Sequence, residues 1–71
     1  MEKFLIIDTE ETRVKIKVTN TQINLLTQII KKVNKDLKDY KNSDGYPLFK
    51  ELINSIVNEE DIVSINIVYQ N

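Results

Sequence analysis

The sequence predicts an α+β fold: a two-layer ββααβ domain in which two helices cover one face of a three-stranded, mostly antiparallel sheet. Three observations lead there. Residues 13–19 and 62–69 alternate apolar and polar side chains with the period of a strand. Between them, Ile23, Leu26, Ile30, Val33, Leu37 and Tyr40 recur at intervals of three and four, the spacing of one helix face. The single Gly and the single Pro both fall in residues 41–47, which part that helix from a second apolar periodic segment.

In chain order, Lys3 to Asp8 encloses Phe4, Leu5, Ile6 and Ile7, a short run suited to a strand buried on both faces. Thr9-Glu10-Glu11-Thr12 interrupts it. Lacking Gly, this stretch does not specify a tight primed turn, and a hairpin loop around a type I turn is expected. In the second strand Val14, Ile16 and Val18 point one way, and Arg13, Lys15 and Lys17 the other. Thr19, Asn20 and Thr21 can each cap a helix start. The helix is expected to run on to Tyr40, with Leu25 and Ile29 widening its stripe early and charged flanks from Lys31 onward. In the break, Gly45 is available for a positive φ and Pro47 for the first turn of a second helix. That helix is expected over Pro47 to Asn58, with Leu48, Leu52, Ile53, Ile56 and Val57 on one side and Phe49 at its edge. Glu59-Glu60-Asp61 reads as an acidic connector. Ile62 to Tyr69 then forms the last strand, with Val63, Ile65, Ile67 and Tyr69 sharing a face. The expected inward set is Val14, Ile16, Val18, Val63, Ile65 and Ile67 from the sheet, and Ile23, Leu26, Ile30, Leu52 and Ile56 from the helices. The place of the last strand, beside the first or at the hairpin's other edge, is left open.

The 71 residues make one domain, 1–71. A chain this short buries only about 60% of its unfolded surface. Its core is worth about 3–5 kcal/mol, so a homodimer or a bound partner would add needed stability. At 41% hydrophobic and 30% charged, the composition is that of a globular protein. There is no Cys, hence no disulfide and no thiolate metal site. There is no His, which removes the commonest general base and metal ligand. Ser43, Ser55 and Ser64 therefore lack the usual activating partner. One Gly cannot build a phosphate-binding loop. Asn42, Ser43 and Asp44 lack the closing Glu of a calcium loop. The carboxylate groups Glu10-Glu11 and Glu59-Glu60-Asp61 lie in segments expected to be solvated, where nothing raises a pKa. No catalytic, cofactor or metal site is expected, and the chain reads as a non-enzyme. The apolar run near the N-terminus is four residues long. A signal peptide needs roughly 7–15 and a membrane span about 20, so the expected location is the cytoplasm, with no membrane partner.

The sharpest surface feature is Arg13, Lys15 and Lys17 on one face of a strand. The stretch Val14-Lys15-Ile16-Lys17-Val18, Thr19-Asn20-Thr21-Gln22 and Ile23 to Ile30 resembles the opening of ribbon-helix-helix DNA-binding proteins, within a span from Thr12 to Val57. That resemblance implies a dimer whose paired strands enter the major groove, with Arg13, Lys15 and Lys17 reading base edges. The chain departs from the pattern with a strand before, a strand after and a longer first helix. A solvent-facing edge blunted by Lys accounts for the same residues. Charge is uneven: residues 1–41 carry nine Lys/Arg and six Asp/Glu, and residues 42–71 one Lys and five Asp/Glu. Tyr40, Tyr46 and Phe49 surround the interhelix loop, where aromatics either anchor an interface or close the core. The chain has no Ala and is rich in Ile, Lys and Asn, the habit of an A+T-rich genome such as that of many phages. The expected function is a non-enzymatic protein-binding module, a small phage or mobile-element protein that binds a host macromolecule. A dimeric DNA-binding regulator is the alternative, with nucleic acid less favoured than protein.

Overall fold

A computed structural model describes residues 1–71. It contains β1 (Glu2–Thr9), β2 (Arg13–Lys17), α1 (Asn20–Asn34), α2 (Tyr46–Ile53) and β3 (Ile62–Gln70), with 3₁₀ segments at Lys38–Asn42 and Glu59–Asp61. The sheet order is β2-β1-β3 and both pairings are antiparallel. The α+β fold and its ββααβ order are as the patterning predicts, and β3 lies beside the first strand.

Register explains the core. Leu5 sits between Ile16 and Ile67, and Ile7 between Val14 and Ile65. Leu5, Ile7 and Ile65 are fully buried beneath Leu26 and Ile29 of α1 and Phe49 and Ile53 of α2. Each such side chain contributes about 1.5–3 kcal/mol by leaving water. The other face of β1, with Glu2, Phe4, Ile6 and Asp8, carries no helix, so the expectation of a strand buried on both faces holds only in part. Ile6 is still just 9% exposed, because a central strand is shielded by side chains of both neighbours.

The hairpin turn is held by Thr9. Its N–H donates to Thr12 O at 2.8 Å, and its Oγ1 accepts from the N–H groups of Glu11 and Thr12. No residue of the turn has positive φ, so the turn is unprimed, as the missing Gly implies.

α1 starts at a capping box. Thr19 Oγ1 accepts from Gln22 N–H, and Gln22 Oε1 accepts from Thr19 N–H at 2.9 Å. The helix ends at Asn34, well short of Tyr40. Asp36 takes φ 56°, its N–H donates to Val33 O at 3.0 Å, and Leu37 N–H reaches Lys32 O at 2.8 Å. That is a Schellman stop, with Asp in the left-handed place that Gly usually takes. Leu37 is consequently exposed, and Tyr40 stands in the 3₁₀ segment.

Gly45 corrects a second expectation. Its φ is −81°, not positive. It is required because a Cβ there would lie 2.0 Å from the Leu25 carbonyl oxygen of α1. Pro47 stands in the first turn of α2, as expected. That helix closes at Ile53 rather than Asn58. Asn54 (φ −55°, ψ 124°) and Ser55 (φ 65°) form a type II turn, with Ile56 N–H donating to Ile53 O at 3.0 Å. The turn lifts Ile56 into solvent, and the buried pair of α2 becomes Phe49 and Ile53 rather than Leu52 and Ile56. Phe49 is thus central, not peripheral.

In β3 the register shifts: Asp8 faces Ser64 but Thr9 faces Ile62. Val63 is the extra residue of this bulge. It is exposed, and Ile62 takes its expected place against the core.

Candidate functional site

The alternation of β2 turns Val14 and Ile16 toward the helices and Arg13, Lys15 and Lys17 onto the uncovered sheet face. Each cation is engaged there. Arg13 Nε donates to Asp8 Oδ1 at 2.7 Å, and the Ser64 hydroxyl donates to Asp8 Oδ2 at 3.4 Å. The hydrogen bond and charge of Arg13 hold the Asp8 carboxyl below its ordinary range, and Ser64 adds to this. Lys17 Nζ stands 3.4 Å from Glu2 Oε1. Lys15 reaches across β1: its Nζ is 4.2 Å from the centre of the Phe4 ring and 2.5 Å from Gln70 Oε1 on β3. Of the three, Lys15 alone has no carboxylate partner. Such exposed ion pairs are each worth about 0–1 kcal/mol.

The two sheet edges differ. On β3, the side-chain amide of Asn34, the last residue of α1, docks on Ile65: Oδ1 accepts from Ile65 N–H at 2.9 Å and Nδ2 donates to Ile65 O at 2.8 Å. One asparagine thus stands in for a neighbouring strand. On β2, Val14, Ile16 and Val18 turn their backbone groups toward β1, as Val18 N–H donating to Lys3 O shows. Ladder alternation leaves the N–H and C=O of Arg13, Lys15 and Lys17 along the free edge. No strand pairs with that edge.

The aromatic group lies elsewhere. Tyr40 meets Tyr46 edge-on at 5.7 Å and Phe49 at 6.5 Å. Phe49 has no exposed surface. Tyr46 Oη donates to Glu59 Oε1 at 2.8 Å, and Lys41 and Lys50 stand 3.5 and 3.6 Å from the same carboxylate. The Glu59 side chain is only 12% exposed, so the expectation of a solvated connector fails for this residue. Burial pushes its carboxyl up, but the tyrosine hydroxyls and the two lysine charges outweigh that and hold it below the ordinary range. Burial first, and Glu59 second, raise the hydroxyls of Tyr40 and Tyr46. A carboxylate held by the Tyr46 hydroxyl and flanked by Lys41 and Lys50, with Tyr40 packed edge-on against Tyr46, closes the core at this end.

Sequence reasoning brings Arg13, Lys15 and Lys17 together correctly on one face, and Tyr40, Tyr46 and Phe49 around one loop. It misses Asn34 and Glu59. Neither carries a local signal, because each acts on a residue distant in sequence. Elsewhere, Glu10, Glu11, Glu60 and Asp61 line a groove between the hairpin turn and the second 3₁₀ segment. No helix is long and apolar enough to cross a membrane. No family model, curated protein or solved structure matches the chain.

Proposed function

We propose that this domain is a non-enzymatic protein-binding module whose contact surface is the uncovered sheet face with β2 at its border. One observation carries the reading. The face opposite the helices has no element packed on it, yet it bears half-buried Phe4 and Val68, flanking buried Ile6, beside the cations of β2. An apolar strip ringed by charge suits a protein partner. Nucleic acid fits less well, because three cations offset by Asp8 and Glu2 on the same face make a small basic patch for a polyanion, on a chain whose formal net charge is −1. Tyr40 and Tyr46 offer a smaller second surface, with Phe49 buried behind them. The A+T-biased composition supports a phage or mobile-element protein acting on a host factor.

The test is site-specific photocrosslinking in the native cell. A photoreactive residue at Asn66, exposed on the open face, is compared with one at Lys31, exposed on α1. One protein should be captured at Asn66 and not at Lys31, and should bind when purified and titrated. Capture of nucleic acid at Asn66, or of nothing at either position, would overturn the reading.

A further inference from the structure

We propose that the free edge of β2 accepts a strand from the partner, an extended segment with acidic side chains on one face and apolar side chains on the other. This rests on the protein-binding reading and names the chemistry of what is bound.

The contrast between the edges supplies the first support. An open edge is a template for unwanted pairing. On β3 it is interrupted twice, by the bulge at Val63 and by the Asn34 amide on Ile65. On β2 nothing interrupts it, and the backbone groups of three alternate residues face outward in an unbroken row. Strand addition uses such a row for affinity.

Charge decides which strand can use it. The cations stand on the edge strand itself, whereas Asp8 and Glu2 stand one strand further in, about 4.8 Å away. An added strand therefore meets Arg13, Lys15 and Lys17 first. Acidic residues at its outward positions face them directly, which is favourable across neighbouring strands. A second copy of this chain is disfavoured. Antiparallel pairing centred on Lys15 sets Lys15 against Lys15, and Arg13 against Lys17. The same cations that repel self-pairing admit an acidic strand, so attraction and exclusion act together.

The helix side supplies the third support. Val14 and Ile16 pack on the core but remain half-exposed at this border. Alternate apolar side chains of an added strand would cover them. The partner segment thus reads acidic, apolar, acidic, apolar along about five or six residues, the ordinary length of a strand.

The experiment uses the full chain and three blocked peptides of about six residues: alternating Glu and Val, alternating Lys and Val, and the Glu peptide with N-methylated backbone. Amide exchange and chemical shifts are followed by NMR. The Glu peptide should slow exchange at Arg13, Lys15 and Lys17 and leave Ile65 unchanged, while the other two should have no effect. Lys15→Glu should weaken the Glu peptide at least about tenfold, near 1.4 kcal/mol, and admit the Lys peptide. Lys15→Pro, which removes an edge N–H that the fold does not use, should abolish slowing with either peptide. Equal slowing by the Lys peptide, slowing confined to other elements, or concentration-dependent slowing without peptide (a second copy on the edge) would each overturn the proposal. Failure of the Glu peptide alongside capture at Asn66 discards strand addition alone; failure of both discards the protein-binding reading as well.

Discussion

Gly45→Ala tests the packing of the two helices. The φ and ψ of Gly45, −81° and −4°, are open to alanine. If conformation alone mattered, the substitution would stabilise the fold by about 0.4–1 kcal/mol, by restricting the unfolded chain. Space reverses the sign. The new Cβ would stand 2.0 Å from the Leu25 carbonyl oxygen, 2.7 Å from its carbon and 3.3 Å from Ile29 Cδ1. Relief demands moving the backbone of α1 away from the start of α2, which also disturbs Leu26 and Ile29 in the core. Overpacking costs about 1–3 kcal/mol, and a clash with backbone belongs at the upper end. A net loss of about 2 kcal/mol follows, a large part of the stability of a chain this size. In thermal unfolding followed by circular dichroism, Tm should fall by about 8–16 °C. Ile29→Val in the same chain should not restore it, since the severe contact is with a carbonyl. An alanine variant as stable as the parent would refute the reasoning.

Asn34→Leu should cost about 1 kcal/mol in urea denaturation and introduce concentration-dependent association, because it unplugs the β3 edge at Ile65; unchanged sedimentation would count against that role. Tyr46→Phe should lower stability by about 1–2 kcal/mol through loss of the hydrogen bond to ionised Glu59, and NMR titration should show the Glu59 pKa rising; an unmoved pKa would refute the clasp. Asp36→Gly should stabilise by about 0.5–1 kcal/mol, since the left-handed position costs an L-residue about 1–2 kcal/mol and Gly gives part of that back as chain entropy; a drop in Tm would contradict the Schellman stop. Stability should be flat across neutral pH. Asp8 and Glu59, with lowered pKa values, contribute above their ordinary 3.8 and 4.5, and that contribution is lost as pH falls through the folded values. Tyr40 and Tyr46, with raised values, contribute fully below 10.0 and lose it as pH climbs toward the folded values. Unfolding free energy that rises above pH 10 would contradict this.

The legible part of the fold was carried by repetition. The alternation at Val14-Ile16-Val18 and the three-four spacing from Ile23 specify element type and facing without knowledge of neighbours. What escaped were single-residue decisions, some made by a local backbone conformation and some by contacts distant in sequence. Asp36 stops α1 although the apolar spacing continues through Leu37, because a left-handed Asp leaves no composition signal. Ser55 does the same to α2, and the turn it makes carries Ile56 out of the expected buried face. The bulge exchanges Val63 for Ile62, which alternation cannot show. For the candidate surface, the facing of Arg13, Lys15 and Lys17 could be read directly. Their pairing with Asp8, Gln70 and Glu2, and the difference between a plugged and an open edge, required the strand order.

The most direct test of the central claim is amide exchange of the full chain with and without the protein captured through Asn66. The amides of Arg13, Lys15 and Lys17 should slow on binding, while Ile65, already paired with Asn34, stays as it was. Slowing confined to the helices or to the Tyr40–Tyr46 loop, with β2 unchanged, would contradict the account.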